Sequence, residues 1–418
     1  MIINRLFNGL NIQLFFRILL KYLTMKIMFT DNLKMKSFFI CISFLFLMAC
    51  SSTQSTDSDS TLENSSMASC GTTYDFFTHT PVEGALFYIS PLGNLNPRGG
   101  HSFPSQHLYV HFDEHKSGVI PTKRKIYSPG NIKLIRVEEM SYLTSGKKDY
   151  SLNFGVCKET TAYFKHIKGL TDSVLTAVGS FSNCNEYESG GESIRRCDKE
   201  VSIDLSAGDE LGHVGEASEE DVSFDFGIYD TRNGKLNFVN QTFYPETYYY
   251  LRCPLDYYSS AKKTELTAKL GGYDGIFNNL TTRTIAPVCG EVNQDKANTA
   301  QGNWIKQGVT SYNNEDEHLS FVHDNEVPTQ GVVSIGAKSG VHNEYVLFNF
   351  IPTTNGQTKR QFADVTADNT VYCYEPESES ISYHIKIKMT DNSTIQVEKG
   401  AGACPLSPTI SSPITFVR

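Results

Sequence analysis

Residues 149–167 read DYSLNFGVCKETTAYFKHI, and the two runs Asp149–Cys157 and Thr160–Ile167 within them decide the fold class. Tyr, Phe, Val, Leu and Thr dominate, side chains that suit a pleated, half-buried surface. The same texture extends outward on both sides. Upstream lie ALFYIS (85–90), HLYVHF (107–112), KRKIYS (123–128) and NIKLIRVEEM (131–140); downstream lie VSIDLS (201–206) and VSFDFGIYD (222–230). Short strands at this spacing, separated by turn residues, predict an antiparallel sandwich or barrel over residues 80–250. No stretch of helical periodicity exceeds about three turns. After a connecting, cysteine-containing segment at 251–310 the pattern returns in LSFVHD (319–324), GVVSIGA (331–337), EYVLFNF (344–350), TVYCYE (370–375), SYHIKIKM (382–389) and STIQVEK (393–399). The clearest is SYHIKIKM, whose alternation puts one face on a core and one in water. The chain therefore reads as mostly β, with a small C-terminal β module over 311–418. The single tryptophan, Trp304, is expected in a core, since tryptophan is highly buried on average.

The N-terminus carries a different signal. Ser37–Ala49 (SFFICISFLFLMA) is apolar, is preceded by Lys34 and Lys36, and stops at Cys50. A basic n-region followed by about 7–15 apolar residues reads as a secretion signal; a membrane-spanning helix needs about 20. Leu47-Met48-Ala49-Cys50 resembles the lipobox of bacterial lipoproteins, which implies cleavage after residue 49 and a diacylated Cys50 that anchors the chain to a membrane. Ser51 in the next position implies outer-membrane sorting in a host with two membranes. The alternative is an ordinary signal peptide with an incidental cysteine. Residues 1–34 are longer than any signal needs, which points to Met25 or Met35 as the true start. Residues 50–70 are the lipidated cysteine and a tether of Ser, Thr, Asp and Asn, a composition that buries no core.

Composition narrows the partners. With 46 acidic and 37 basic residues the formal net charge is −9, which disfavours nucleic acid and anionic lipid as main partners. There is no P-loop, dinucleotide fingerprint, Gly-x-Ser-x-Gly elbow or His-Glu-x-x-His helix, so nucleotide enzymes, serine hydrolases and zincins are poor candidates. Eight cysteines follow Cys50, an even number in a compartment where disulfides persist. Spacing suggests Cys184 with Cys197, Cys253 with Cys289, and Cys373 with Cys404, among 105 complete pairings that eight cysteines allow. Cys70 with Cys157 is what remains. None shows the close spacing of a structural zinc site.

Four segments carry a resemblance. They are His101-Ser-Phe-Pro-Ser-Gln-His107, Tyr163-Phe-Lys-His166-Ile-Lys-Gly-Leu170, Gly208-Asp-Glu-Leu-Gly212-His-Val-Gly215, and Ser223-Phe-Asp225-Phe-Gly227. In this order they resemble the lysostaphin-like zinc endopeptidases of peptidoglycan, whose core is a duplicated hybrid motif. The resemblance covers less than half of the chain. It implies a duplicated-hybrid-motif-like β-sandwich or barrel, a zinc ion held by His101, His107 and Asp225, and His166 as the catalytic, oxyanion-stabilising histidine. The departures are specific: His107 stands where the family has Asp, Asp225 where it has the last His, and Ser223 where it has a second non-ligand His. Two imidazoles and one carboxylate with an open fourth position suit a catalytic zinc, but Ser223 cannot act as a base. Each residue also has a plainer reading: His101 as a loop residue, His107 and His111 as polar positions beside a strand, His166 as a half-buried ring. Asp225 needs a partner if it points inward from its apolar run. The expectation is a lipid-anchored envelope protein that binds peptidoglycan or another envelope component. An active zinc peptidase and a structural or adhesive lipoprotein are the alternatives.

Overall fold

A computed structural model describes residues 64, 66–189, 192–310, 312, 315–378 and 380–418. The signal segment, its candidate starts Met25 and Met35, the lipidation candidate Cys50 and the tether up to residue 63 lie outside the described residues.

The first half of the chain folds as eleven strands: β1 Tyr88–Ser90, β2 Leu108–His111, β3 Arg124–Tyr127, β4 Ile132–Tyr142, β5 Lys148–Cys157, β6 Thr160–Ile167, β7 Gly169–Leu170, β8 Ser182–Ser189, β9 Glu192–Leu205, β10 Glu210–Val214 and β11 Ser223–Asp230. Eight form one antiparallel sheet in the order β1-β2-β11-β6-β5-β4-β9-β8, while β3, β10 and β7 form a small second sheet. The Gly208–Gly215 segment contributes β10. One short helix, α1 (Asp172–Val178), is capped by Thr171, whose hydroxyl accepts from the Val174 N–H; this satisfies one orphan donor of the first turn.

Strand alternation sorts the large sheet into two faces. Leu108 and Val110 of β2, Phe164 of β6, and Phe224, Phe226 and Ile228 of β11 are buried together in the main core, with Phe164 edge-on to Phe224 and Phe226. The residues between them, Tyr109 opposite Asp225 and Asp225 opposite Lys165, fall on the other face. That second face carries the candidate site.

Past β11 come α2 (Ser260–Thr267) and a two-stranded ribbon of β12 (Gly271–Tyr273) and β13 (Leu280–Thr282). The C-terminal part has β14 Gly302–Lys306, β15 Leu319–His323, β16 Gly331–Ile335, β17 Val346–Phe350, β18 Tyr372–Tyr374, β19 Tyr383–Asp391, β20 Thr394–Ala401 and β21 Ile414–Val417. They pair as β17-β16-β15-β14-β21-β20-β19-β18. The Glu377 N–H donates to the Asn349 carbonyl, which brings the two ends of the sheet together in a nearly closed barrel. Trp304 is fully buried in its core beside Phe321, Phe350 and Ile387. Its Nε1 donates to the Ala300 carbonyl at 2.8 Å, so the indole keeps a partner where it excludes water. The barrel thus takes its first strand from the connecting segment.

The three disulfides that spacing suggests are formed, Cys184–Cys197, Cys253–Cys289 and Cys373–Cys404, and Cys70 bonds Cys157. Among the described residues no helix is long and apolar enough to cross a membrane.

Candidate functional site

Three neighbouring strands and one loop build the site. His107 enters β2 and is 5% exposed, and Asp225 in the middle of β11 is 4% exposed. His107 Nε2 lies 3.3 Å from Asp225 Oδ2. Neither that nitrogen nor Asp225 Oδ1 has a hydrogen-bond partner. A buried polar atom without a partner costs about 1–3 kcal/mol, so the fold carries two such atoms side by side.

His166 reaches the same carboxylate from β6 by an irregularity. The register steps from Tyr150–Ile167 to Leu152–Phe164, which leaves one extra residue in β6, and His166 sits there with φ of 66°. A bulge of this kind turns a side chain to the other face. Regular alternation from Phe164 would send His166 into the core; instead Ile167 is buried and His166, 43% exposed at its side chain, faces Asp225. Its Nε2 is 3.4 Å from Asp225 Oδ2 and its Nδ1 is 2.6 Å from Asp149 Oδ2. A left-handed conformation in a non-glycine residue is kept only when its surroundings enforce it. Two carboxylates do so here.

Electrostatics follow from this packing. Burial pushes the His107 imidazole down to about 3 against the pull of Asp225, so the ring is neutral. Burial works against His166 as well, but Asp149 and Asp225 together raise it well above its ordinary value. Burial would raise the Asp225 carboxyl; the charged His166, which also donates to it, opposes burial and keeps the carboxylate ionised.

The His107 ring is braced from its far side. Tyr163 of β6 places its hydroxyl 3.5 Å from His107 Nδ1. The phenol lies across Gly227 of β11, where an added Cβ would come within 2.1 Å of the Tyr163 ring. Glycine at 227 therefore makes room for Tyr163, and Tyr163 for the orientation of His107.

His101 stands at the edge of this group. Its ring centre is 5.6 Å from that of His107, and its Nδ1, also without a hydrogen-bond partner, faces Glu315 Oε2 at 3.8 Å. Glu315 comes from the 3-10 turn Glu315–Glu317 that precedes β15. Thus His107, Asp225 and His166 meet, and His101 flanks His107. Ser223 occupies β11 opposite His111, and His111 stacks on Tyr88 with 4.0 Å between ring centres.

Donor atoms of His101, His107 and Asp225 do not all lie within 4.8 Å of one another. The one group among the described residues that meets this spacing is Cys70, Cys157 and Glu159. Its two cysteines are joined to each other, which leaves no thiolate to bind an ion.

Asp149 and Glu315 had gone unassigned in the sequence. Asp149 opens the strand that pairs with the His166 strand, a signal that strand pairing alone supplies. Glu315 sits in an acidic run, Glu315-Asp-Glu317, that reads as a solvated loop. No family model, curated protein or solved structure matches this chain, so the site is read from its own geometry.

Proposed function

We propose that the chain is an exported, lipid-anchored envelope protein whose strand-built site around His107, Asp225 and His166 is a divergent form of the lysostaphin-like zinc site and binds a peptide of the cell envelope, peptidoglycan being the first candidate. The observation that carries this reading is the pair of buried polar atoms that make no hydrogen bond, His107 Nε2 and Asp225 Oδ1, beside a His107–Asp225 contact of 3.3 Å. A neutral imidazole beside an ionised carboxylate is the donor chemistry that zinc takes. His107 and Asp225 would hold the ion, with His101 as the adjoining imidazole; when bound, zinc supplies a Lewis acid for a carbonyl oxygen. Tyr163 accepts from His107 Nδ1–H in this reading, which keeps the Nε2 lone pair free.

Hydrolysis is the second reading, favoured by His166. Its imidazole is held between Asp149 and Asp225, is accessible from solvent, and can donate a proton or hydrogen bond to a polarised oxygen. Ser223, which has no basic nitrogen, leaves this chain without a second histidine there, so binding takes precedence.

The test is the metal content of residues 58–418, one compact unit, by elemental analysis after dialysis against zinc. Near-stoichiometric zinc in the wild type and none in Asp225→Ala is the expected result. Equal zinc in both proteins, or none in either, would sink the reading. Release of peptides from purified peptidoglycan by the wild type, lost in His166→Ala with zinc retained, would favour hydrolysis over binding.

A further inference from the structure

Glu326 lies where three elements meet. It belongs to the turn that joins β15 to β16 and is 8% exposed. Its side chain packs against the backbone of the β12–β13 ribbon: a Cβ added at Gly272 would stand 2.7 Å from Glu326 Cγ and 2.8 Å from Oε1. Asn325 donates from Nδ2 to Glu326 Oε1 at 2.9 Å and to the Pro91 carbonyl, just past β1, at 3.2 Å. On the same turn Asp324 accepts three N–H groups, those of Glu326 and Val327 at Oδ1 and Asn349 Nδ2 at Oδ2. Past β13, the buried Arg283 commits Nη1 to the Asn325 carbonyl at 2.7 Å and Nε to the Pro287 carbonyl at 3.0 Å. Tyr88 of β1 and Tyr273 of β12 are the other titratable groups turned toward it, and Asp274, at the end of β12, is held by Gln330. Among the described residues no cation bonds to the Glu326 carboxyl. A carboxyl shut away from water beside a second carboxylate, with no cation bonded to it, keeps its proton. Burial first and the Asp324 charge second push Glu326 well above the ordinary glutamate range.

We propose that Glu326 is a pH-sensitive latch: while neutral, it lets the β12–β13 ribbon close on the barrel at Gly272, and once ionised it favours release of the ribbon, because the charge must reach water or stand against Asp324. This goes beyond the envelope-binding reading and does not depend on it. Glycine at 272 belongs to the device, since a side chain there would occupy the place of the carboxyl. A glutamate whose pKa is raised in the closed state favours closure fully at pH values below its open-state pKa of about 4.3. That advantage is lost as pH rises through the closed-state value. Between the two, each pH unit raises the opening equilibrium about tenfold, and above the upper one the opening levels off.

Two measurements on residues 58–418 test the latch. Carbon-13 NMR of the Glu326 carboxyl is expected to show it protonated at pH values where a free glutamate, with a pKa of about 4.3, is ionised. Hydrogen exchange of the β12 and β13 amides, corrected for the intrinsic effect of pH, is expected to lose protection by up to about tenfold per pH unit. The loss should level off where the Glu326 signal titrates, while amides of β19 and β20 keep their protection. Glu326→Gln, neutral at every pH, should hold the ribbon's protection constant over the same range. A Glu326 carboxyl that titrates like free glutamate would overturn the proposal whatever the variant does. Ribbon protection that is independent of pH in the wild type, or that falls equally in Glu326→Gln, would overturn it as well.

Discussion

Strands β11 and β19 look alike in sequence and differ in what lies over their second face. In β19, Ile385, Ile387 and Met389 point into the barrel while Lys386 and Lys388 stand outward. In β11, Phe224, Phe226 and Ile228 point into the core, but Asp225 and Gly227 on the opposite face are buried as well. A sheet face that is covered and yet carries a carboxylate pays for solvation it does not recover. The barrel too has buried nitrogens that make no hydrogen bond, at His318, His323, Arg360 and Arg418, but these are spread along the chain. Around β11 such atoms gather: His101, His107, Asp149 and Asp225 each contribute one. The β2-β11-β6 face thus gathers in one place the kind of buried polar atom that the barrel spreads over several elements.

The sharpest way to break this contrast is to truncate one buried ring. Trp304→Ala should destabilise the protein by about 3–5 kcal/mol, read from urea unfolding with disulfides intact, while, on the zinc reading proposed above, the folded fraction binds zinc as the wild type does. A folded Trp304→Ala protein that has lost zinc would mean that the two regions are not separable in this way. Asp225→Ala is the opposite case, with zinc lost and a smaller change in stability.

Gly227→Ala is expected to act at intermediate strength. The new methyl collides with the Tyr163 ring, and overpacking of this kind costs about 1–3 kcal/mol. It also moves the phenol that braces His107, so zinc affinity should fall together with stability. In the barrel the comparable change, Gly331→Ala against Phe350, should cost stability alone. Chelator competition on both variants tells the two apart; equal zinc affinity would remove Tyr163 from the site.

The smallest effect is one of pH. Glu398, paired with Lys386 and accepting from the N–H groups of Ser411 and Ser412, has its carboxyl brought down to about 2; burial opposes ionisation and these donors outweigh it. A carboxyl depressed in the folded state stabilises the fold at pH values above its unfolded pKa of about 4.3. That contribution is lost as pH falls through about 2. Thermal melts between pH 5 and 2 should therefore show a shallower loss of stability in Glu398→Gln than in the wild type. Identical slopes would show that the barrel's outer charges are as weakly coupled to its fold as ordinary surface pairs.

Much of this fold was legible in alternation. The runs read as β2, β4, β5, β6 and β11 all form, as does SYHIKIKM, because one buried face leaves a period of two in the sequence. Strands β14 and β21 escaped notice for a physical reason. Residues 302–305 are buried on both faces, the polar Asn303 included, so polarity does not mark an outer side, and β21 spans only Ile414–Val417. The site was legible as residue types: His107, Asp225 and His166 meet. Its supports were not. Asp149 reaches His166 only through strand pairing, and Glu315 meets the His101 loop across 212 residues of sequence. No local pattern encodes a contact of that range.

The Cys70–Cys157 bond has a mechanical consequence. Cys157 ends β5, an inner strand flanked by β6 and β4. Tension applied to the chain upstream of Cys70 passes through the sulfurs directly into the middle of the sheet, where strands must shear together before any can peel from an edge. The stretch between the two cysteines, which stand 87 positions apart in sequence, is bypassed by that load. His101, His107 and Asp149 all lie within the bypassed stretch, so a pull on the chain upstream of Cys70 does not run along the backbone that bears them.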